Sequence, residues 1–231
     1  GASGEAYRPK FSVLNPALTQ TLPPYQTACG ITDIIAHLYE RYLTNTKNVE
    51  TTDRMIEALM LAMINEAPKV IENPDDYDAR ANIMWAGMMA HNNSCGVGRT
   101  QDWTSHKLEH ELSALYDCAH GAGLAVVMPA VFRYTMKHDI TRFAKAAVRV
   151  WGCGMDFEHP ERTAAAGIEA LRRFLISIGM PKNFSELGAK EEDIEKLAHT
   201  CCFGGAGANG TISGFTALTQ KDVEEIYRLM L

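Results

Sequence analysis

Past a short opening stretch, almost every segment of this chain repeats apolar residues at i, i+3, i+4 and i+7, the period of an amphipathic helix, and no strand-rich half interrupts it. That pattern commits the chain to helix-on-helix packing. The only strand-like stretch is FSVLNP (11–16), part of an extended lead-in over residues 1–24. Residues 25–231 read as one all-α domain of about nine helices. Pro23-Pro24 sets up a first helix near Gln26, with Ile34, Ile35, Leu38 and Leu43 as its buried stripe. A second is capped near Thr51 or Thr52 and runs to the break at Asn73-Pro74. A third follows Asp78 through ANIMWAGMMAHN, ending at Asn92, and a fourth covers Trp103 to about Leu115. A fifth begins near His120 and passes Pro129, which is expected to kink it, to reach Tyr134. Pro160 marks the first turn of a later helix, and Thr219 to Asp222 is a capping signature for the last. FGGAGANGTISG (203–214) reads as a loop.

Composition narrows the function. With 22 basic against 28 acidic residues the formal charge is −6, which argues against an electrostatic grip on nucleic acid or an anionic membrane. No apolar run approaches the roughly 18–20 residues that span a bilayer. A chain of 231 residues builds a core large enough to fold without a metal staple, so a bound metal would serve chemistry. The six cysteines show no C-x-x-C pair, and GASGEAYRPK lacks the features of a signal peptide, so reduced thiols in the cytoplasm are expected.

The histidines carry most of the functional information. In GITDIIAHL, Asp33 and His37 are spaced i, i+4, so a carboxylate and an imidazole project from one helix face. In TSHKLEHELSALYDCAH, His106 and His110 share that spacing, and His120 follows at the start of the next helix. Three imidazoles and one carboxylate on two helices suffice to close a divalent-metal site with an open position. The plainer alternative is a set of exposed i, i+4 contacts. His91, His138, His159 and His199 stand apart and read as surface or core-filling residues. His106-Lys-Leu-Glu109-His110 also fits H-x-x-E-H, in which two histidines hold zinc and the glutamate is the general base of a metallopeptidase. That reading needs a further acidic ligand, with Glu169 and Glu186 among many candidates, and leaves Asp33, His37 and His120 unexplained.

GITDIIAHLYERY followed by DWTSHKLEHELSALYDCAHGAGLAVVMP resembles the metal-binding half of the iron-dependent (group III) alcohol dehydrogenases, in their butanol dehydrogenase-like, NADPH-dependent aldehyde reductase branch. The similarity extends from RPKFSVLNPALTQTLPPYQTACG to GFTALTQKDVEEIYRLML. The resemblance implies the helical C-terminal domain of the dehydroquinate synthase-like fold. It places the metal ligands, for Fe2+ or Zn2+, at Asp33, His37, His106 and His120, a non-ligand histidine beside substrate and nicotinamide at His110, and a nicotinamide-pocket position at Leu22. It also implies NAD(P)H-dependent hydride transfer to or from small aldehydes or alcohols by a homodimer. An N-terminal nucleotide-binding domain is expected upstream of this chain. The string Gly204 to Gly207 has no strand before it and reads as a surface loop, so the chain alone is expected to bind NAD(P) poorly and to serve, in isolation, as a helical metal-binding domain.

Overall fold

The computed structural model describes residues 4–204, 207 and 209–231. Helix α1 (Pro24–Tyr42) starts at Pro24, two residues before Gln26, because proline has no N–H to lose at the first helical position and its fixed φ suits it. It lies at the centre of the fold, packing against α2 (Glu50–Glu72), α3 (Tyr77–His91), α4 (Thr104–Tyr116) and α5 (His120–Thr135). Ile31, Ile35, Leu38 and Tyr42 are accordingly buried. The approach of α1 to α5 depends on Gly121, where any Cβ would overlap the Cys29 backbone.

Helix α2 begins before the expected caps. Val49 precedes it without a side-chain cap, and the Thr52 hydroxyl donates instead to the Val49 carbonyl at 3.2 Å. Asp76 caps α3, accepting from the Ala79 amide at 2.9 Å. Pro68 and Pro129 are accommodated inside α2 and α5, both of which continue past them. Helices α6 (Ile140–Arg149) and α7 (Pro160–Ser177) pack together on the far side of α5, and α8 (Ile194–His199) packs on α9 (Gln220–Arg228). Thr219 and Asp222 form the anticipated reciprocal capping box at α9.

Two expectations are corrected. FSVLNP forms no strand: residues 11–15 have no ladder partner, Phe11 and Val13 are exposed, and Pro16 already opens a 3-10 turn to Thr19. An alternating sequence cannot make a strand without a neighbour to satisfy its amides. Conversely, part of 203–214 pairs. Strand β1 (Thr211–Ile212) runs antiparallel to β2 (Leu218–Thr219). Residues 205 and 206 of the glycine string lie outside the described residues. Nine α-helices occur among the described residues, and none is long and apolar enough to cross a membrane.

The loop between α3 and α4 is fastened to α2 by charge. The Asp53 carboxylate is almost fully buried and receives hydrogen bonds from Arg99 (2.9 Å), Arg142 (2.7 Å) and Lys145 (2.8 Å). Arg99 also donates to the Arg41 carbonyl at 2.8 Å, tying the start of the α4 approach to the end of α1.

Candidate metal centre

Asp33 and His37 stand one turn apart on α1, His106 on the first turn of α4, and His120 at the first residue of α5. Packing brings them to one point. Asp33 Oδ1 lies 3.6 Å from His37 Nε2, 3.4 Å from His106 Nε2 and 3.5 Å from His120 Nε2. Both Asp33 Oδ1 and His106 Nε2 are buried without a hydrogen-bond partner. Unpaired buried polar atoms are costly, so a cluster of donor atoms converging without partners fits an ion among them. The three imidazoles and one carboxylate suit Fe(II) and Zn(II) alike.

The opposite ring nitrogens are held from behind. Glu40, one turn beyond His37, accepts from the His106 amide at 3.1 Å and faces His106 Nδ1 at 3.2 Å. Glu109, fully buried, pairs with His120 Nδ1 and accepts from the Ser113 hydroxyl. Such carboxylate–imidazole pairs fix ring orientation and leave Nε2 for a metal. Glu109 is therefore committed to orienting His120 and turned away from solvent, which removes the general base that the peptidase pattern required.

The charges reinforce one another. Burial pushes the Asp33 carboxyl up, but the facing imidazoles of His106 and His120 and the hydrogen bond from His91 outweigh it and hold it far below the usual carboxylate range. His120 is raised to about 9, chiefly by the facing Asp33 carboxylate and by its bond to Glu109. Burial opposes protonation of His106, yet the nearby Asp33 and Glu40 carboxylates raise it. His37 is driven down to about 3 by burial, with Asp33 opposing and the neighbouring His91, His106 and Arg41 charges adding to the fall. It is thus a neutral imidazole.

Trp103 closes the back of the site. Its backbone adopts a left-handed φ of 68°, rare for a bulky residue, immediately before α4. Its ring meets His37 and His106 edge-on at 5.3 and 5.2 Å, and the Arg41 guanidinium lies 4.9 Å over it. The preceding Asp102 fixes this turn. Its amide donates to the Glu40 carbonyl (2.7 Å), and its carboxyl accepts from the Phe215 amide (2.6 Å) and the Thr104 hydroxyl (2.5 Å). The β1–β2 hairpin, through Phe215, thereby clamps the start of α4.

His110 is exposed beside the centre, its ring 5.4 Å from His120 and 6.3 Å from His106. Leu22 lines an apolar cavity of about 460 Å³ bounded by α1, α2 and α3, which reaches Asp33 and His91. The reading of His91 as an isolated residue is corrected: its Nε2 lies 3.1 Å from Asp33 Oδ2 and its ring 3.9 Å from that of His37. Glu40 carried a visible signal, since D-x-x-x-H-x-x-E continues one face of α1. Nothing in the sequence places His91, because its partner is 58 residues away.

Helices that converge a carboxylate and three imidazoles form a candidate metal centre in a helical domain, and the chain belongs to the Fe-containing alcohol dehydrogenase family, whose C-terminal profile matches residues 27–231. Among its relatives, the NADH-dependent butanol dehydrogenase B of Clostridium acetobutylicum is 36% identical over 222 residues, covering 95% of this chain and 56% of that protein. The NADPH-dependent aldehyde reductase YqhD of Escherichia coli is 37% identical over 192 residues, covering 82% of this chain and 49% of that protein. The crystal structure of NADH-dependent butanol dehydrogenase A from Thermotoga maritima superposes with a TM-score of 0.91 at 34% identity, covering 99% of this chain and 57% of that one. The chain spans about half the length of these relatives.

Proposed function

We propose that the chain is the metal-holding catalytic half of an NAD(P)-dependent alcohol dehydrogenase or aldehyde reductase acting on small alcohols or aldehydes. The observation that carries this reading is the convergence of three imidazole Nε2 atoms, at 3.4 to 3.6 Å, on the unpartnered Asp33 Oδ1. Asp33, His37, His106 and His120 are the residues that would hold Fe2+ or Zn2+. Bound there, a divalent ion would supply Lewis-acid polarisation of a substrate oxygen, and a nicotinamide would supply or accept the hydride.

The chain's own residues do the rest. Glu40 and Glu109 hold His106 and His120 in the ligating orientation. His110, one turn after His106 and open to solvent, passes a proton between the substrate oxygen and water. Leu22, which lines the apolar cavity, would contribute an apolar contact to the nicotinamide. No parallel strand–glycine turn–helix unit occurs among the described residues, so we assign most of the dinucleotide's binding to sequence outside this chain. The intact enzyme would be a homodimer, and the six free thiols suit a reducing cytoplasm.

The test is metal loading followed by activity. Metal-free protein dialysed anaerobically against Fe2+ or Zn2+ should retain about one equivalent, and His106→Ala should retain far less. Joined to a nucleotide-binding domain, the loaded chain should oxidise NADPH only when an aldehyde is present. Equal metal retention by wild type and His106→Ala would refute the site.

A further inference from the structure

We propose that His91 is a positioning residue of this centre, holding Asp33 so that only Oδ1 faces the three imidazoles; this rests on the metal-site reading above. Three features support it. The last turn of α3 is drawn onto α1 at Gly87, where a Cβ would stand 3.0 Å from Ile34 Cδ1, and this contact brings residue 91 within reach of residue 33. The imidazole is then held at both edges: Nδ1 faces the Gly87 carbonyl at 2.7 Å, and Nε2 faces Asp33 Oδ2 at 3.1 Å. Finally, its ring lies 3.9 Å from that of His37, so one side chain braces two of the four prospective ligands.

The need for such a brace follows from carboxylate geometry. The terminal torsion of an aspartate is broad and roughly two-fold, so an unrestrained carboxylate turns easily and exchanges its two oxygens. In this chain the oxygens are unequal. Oδ2 is occupied by His91, whereas Oδ1 is buried and unpartnered among the other imidazoles. His91 itself faces Oδ2, whereas His37, His106 and His120 face Oδ1, which distinguishes it from the prospective ligands, and at 43% exposed it is no core-filling residue.

The experiment is a Co2+ titration of the metal-free chain, followed by the ligand-field absorption of the bound ion. His91→Leu should weaken Co2+ binding by about tenfold without moving the absorption bands, the effect typical of removing a residue that orients a ligand. His91→Gln, whose amide nitrogen replaces Nε2–H as a donor, should recover most of the affinity. Urea stability of the three proteins is measured alongside, because a merely structural residue would change stability and leave the Co2+ affinity alone. Affinity of His91→Leu within about twofold of wild type would overturn the proposal. A band shift in His91→Leu would also overturn it, by making His91 a ligand. Failure of wild type to bind Co2+ would overturn the metal site itself, a distinct result.

Discussion

Replacing Asp53 by Asn should cost more stability than any surface change, and the structure sets the size. The carboxylate is 1% exposed and bridges Arg99, whose side chain is fully buried, with Arg142 and Lys145. Each hydrogen bond to a charged partner is worth about 1.5–3 kcal/mol, and the three are not additive. Arg142 keeps the Tyr42 carbonyl, Lys145 keeps Glu50, and Arg99 keeps the Arg41 carbonyl, so the cations are not stranded. The loss should therefore fall near the lower end of that for breaking a buried ion pair, about 3 kcal/mol. In urea, with a slope of about 2 kcal/mol per molar, the midpoint of the metal-free protein moves down by about 1.5 M. Acidity gives a second handle. Burial pushes the Asp53 carboxyl up, but Lys145, Arg142 and Arg99 outweigh it and hold it below the usual range. A depressed folded-state pKa contributes stability that is fully present above the unfolded value of about 3.9 and is lost as pH falls through the folded one. The gap between wild type and Asp53→Asn should thus be constant near neutrality and close under acid, where wild type carries a neutral acid at the same place. A gap below about 1 kcal/mol at pH 7, or one that widens under acid, would refute the assignment of Asp53 as the brace.

Glu109→Gln should lower Zn2+ affinity by about tenfold in a competition titration, because His120 loses a charged partner on Nδ1; an unchanged affinity would separate Glu109 from the site. With the chain joined to a nucleotide-binding domain, His110→Ala should reduce aldehyde-dependent NADPH oxidation by about a hundredfold while metal content stays at wild type, and loss of metal would instead make His110 a ligand. At Trp103, with φ of 68°, glycine should be tolerated better than alanine by about 1 kcal/mol in urea unfolding, since glycine adopts the left-handed backbone without strain.

The local features were legible because they depend on neighbours in sequence. The i, i+4 spacing of Asp33 with His37, the start of α5 at His120, Pro160 in the first turn of α7 and the Thr219 capping box are all consequences of helical geometry within a few residues. FSVLNP fails for the complementary reason: a strand is a property of a pair, and no second strand lies beside it among the described residues. The two-residue strands of the 211–219 hairpin are too short to carry an alternation. Their contribution, the Phe215 amide held by Asp102, spans 113 residues.

By itself the sequence determined which side chains share a helix face, and so which donors are carried together on α1 and on α4. The tertiary structure decided which faces meet. It set Oδ1 of Asp33 against three imidazoles, put Glu40 behind His106 and Glu109 behind His120, and added His91 from α3. The helical period fixes direction within an element, whereas contacts between elements depend on side-chain volumes, such as the missing Cβ of Gly121 that lets α5 close on α1.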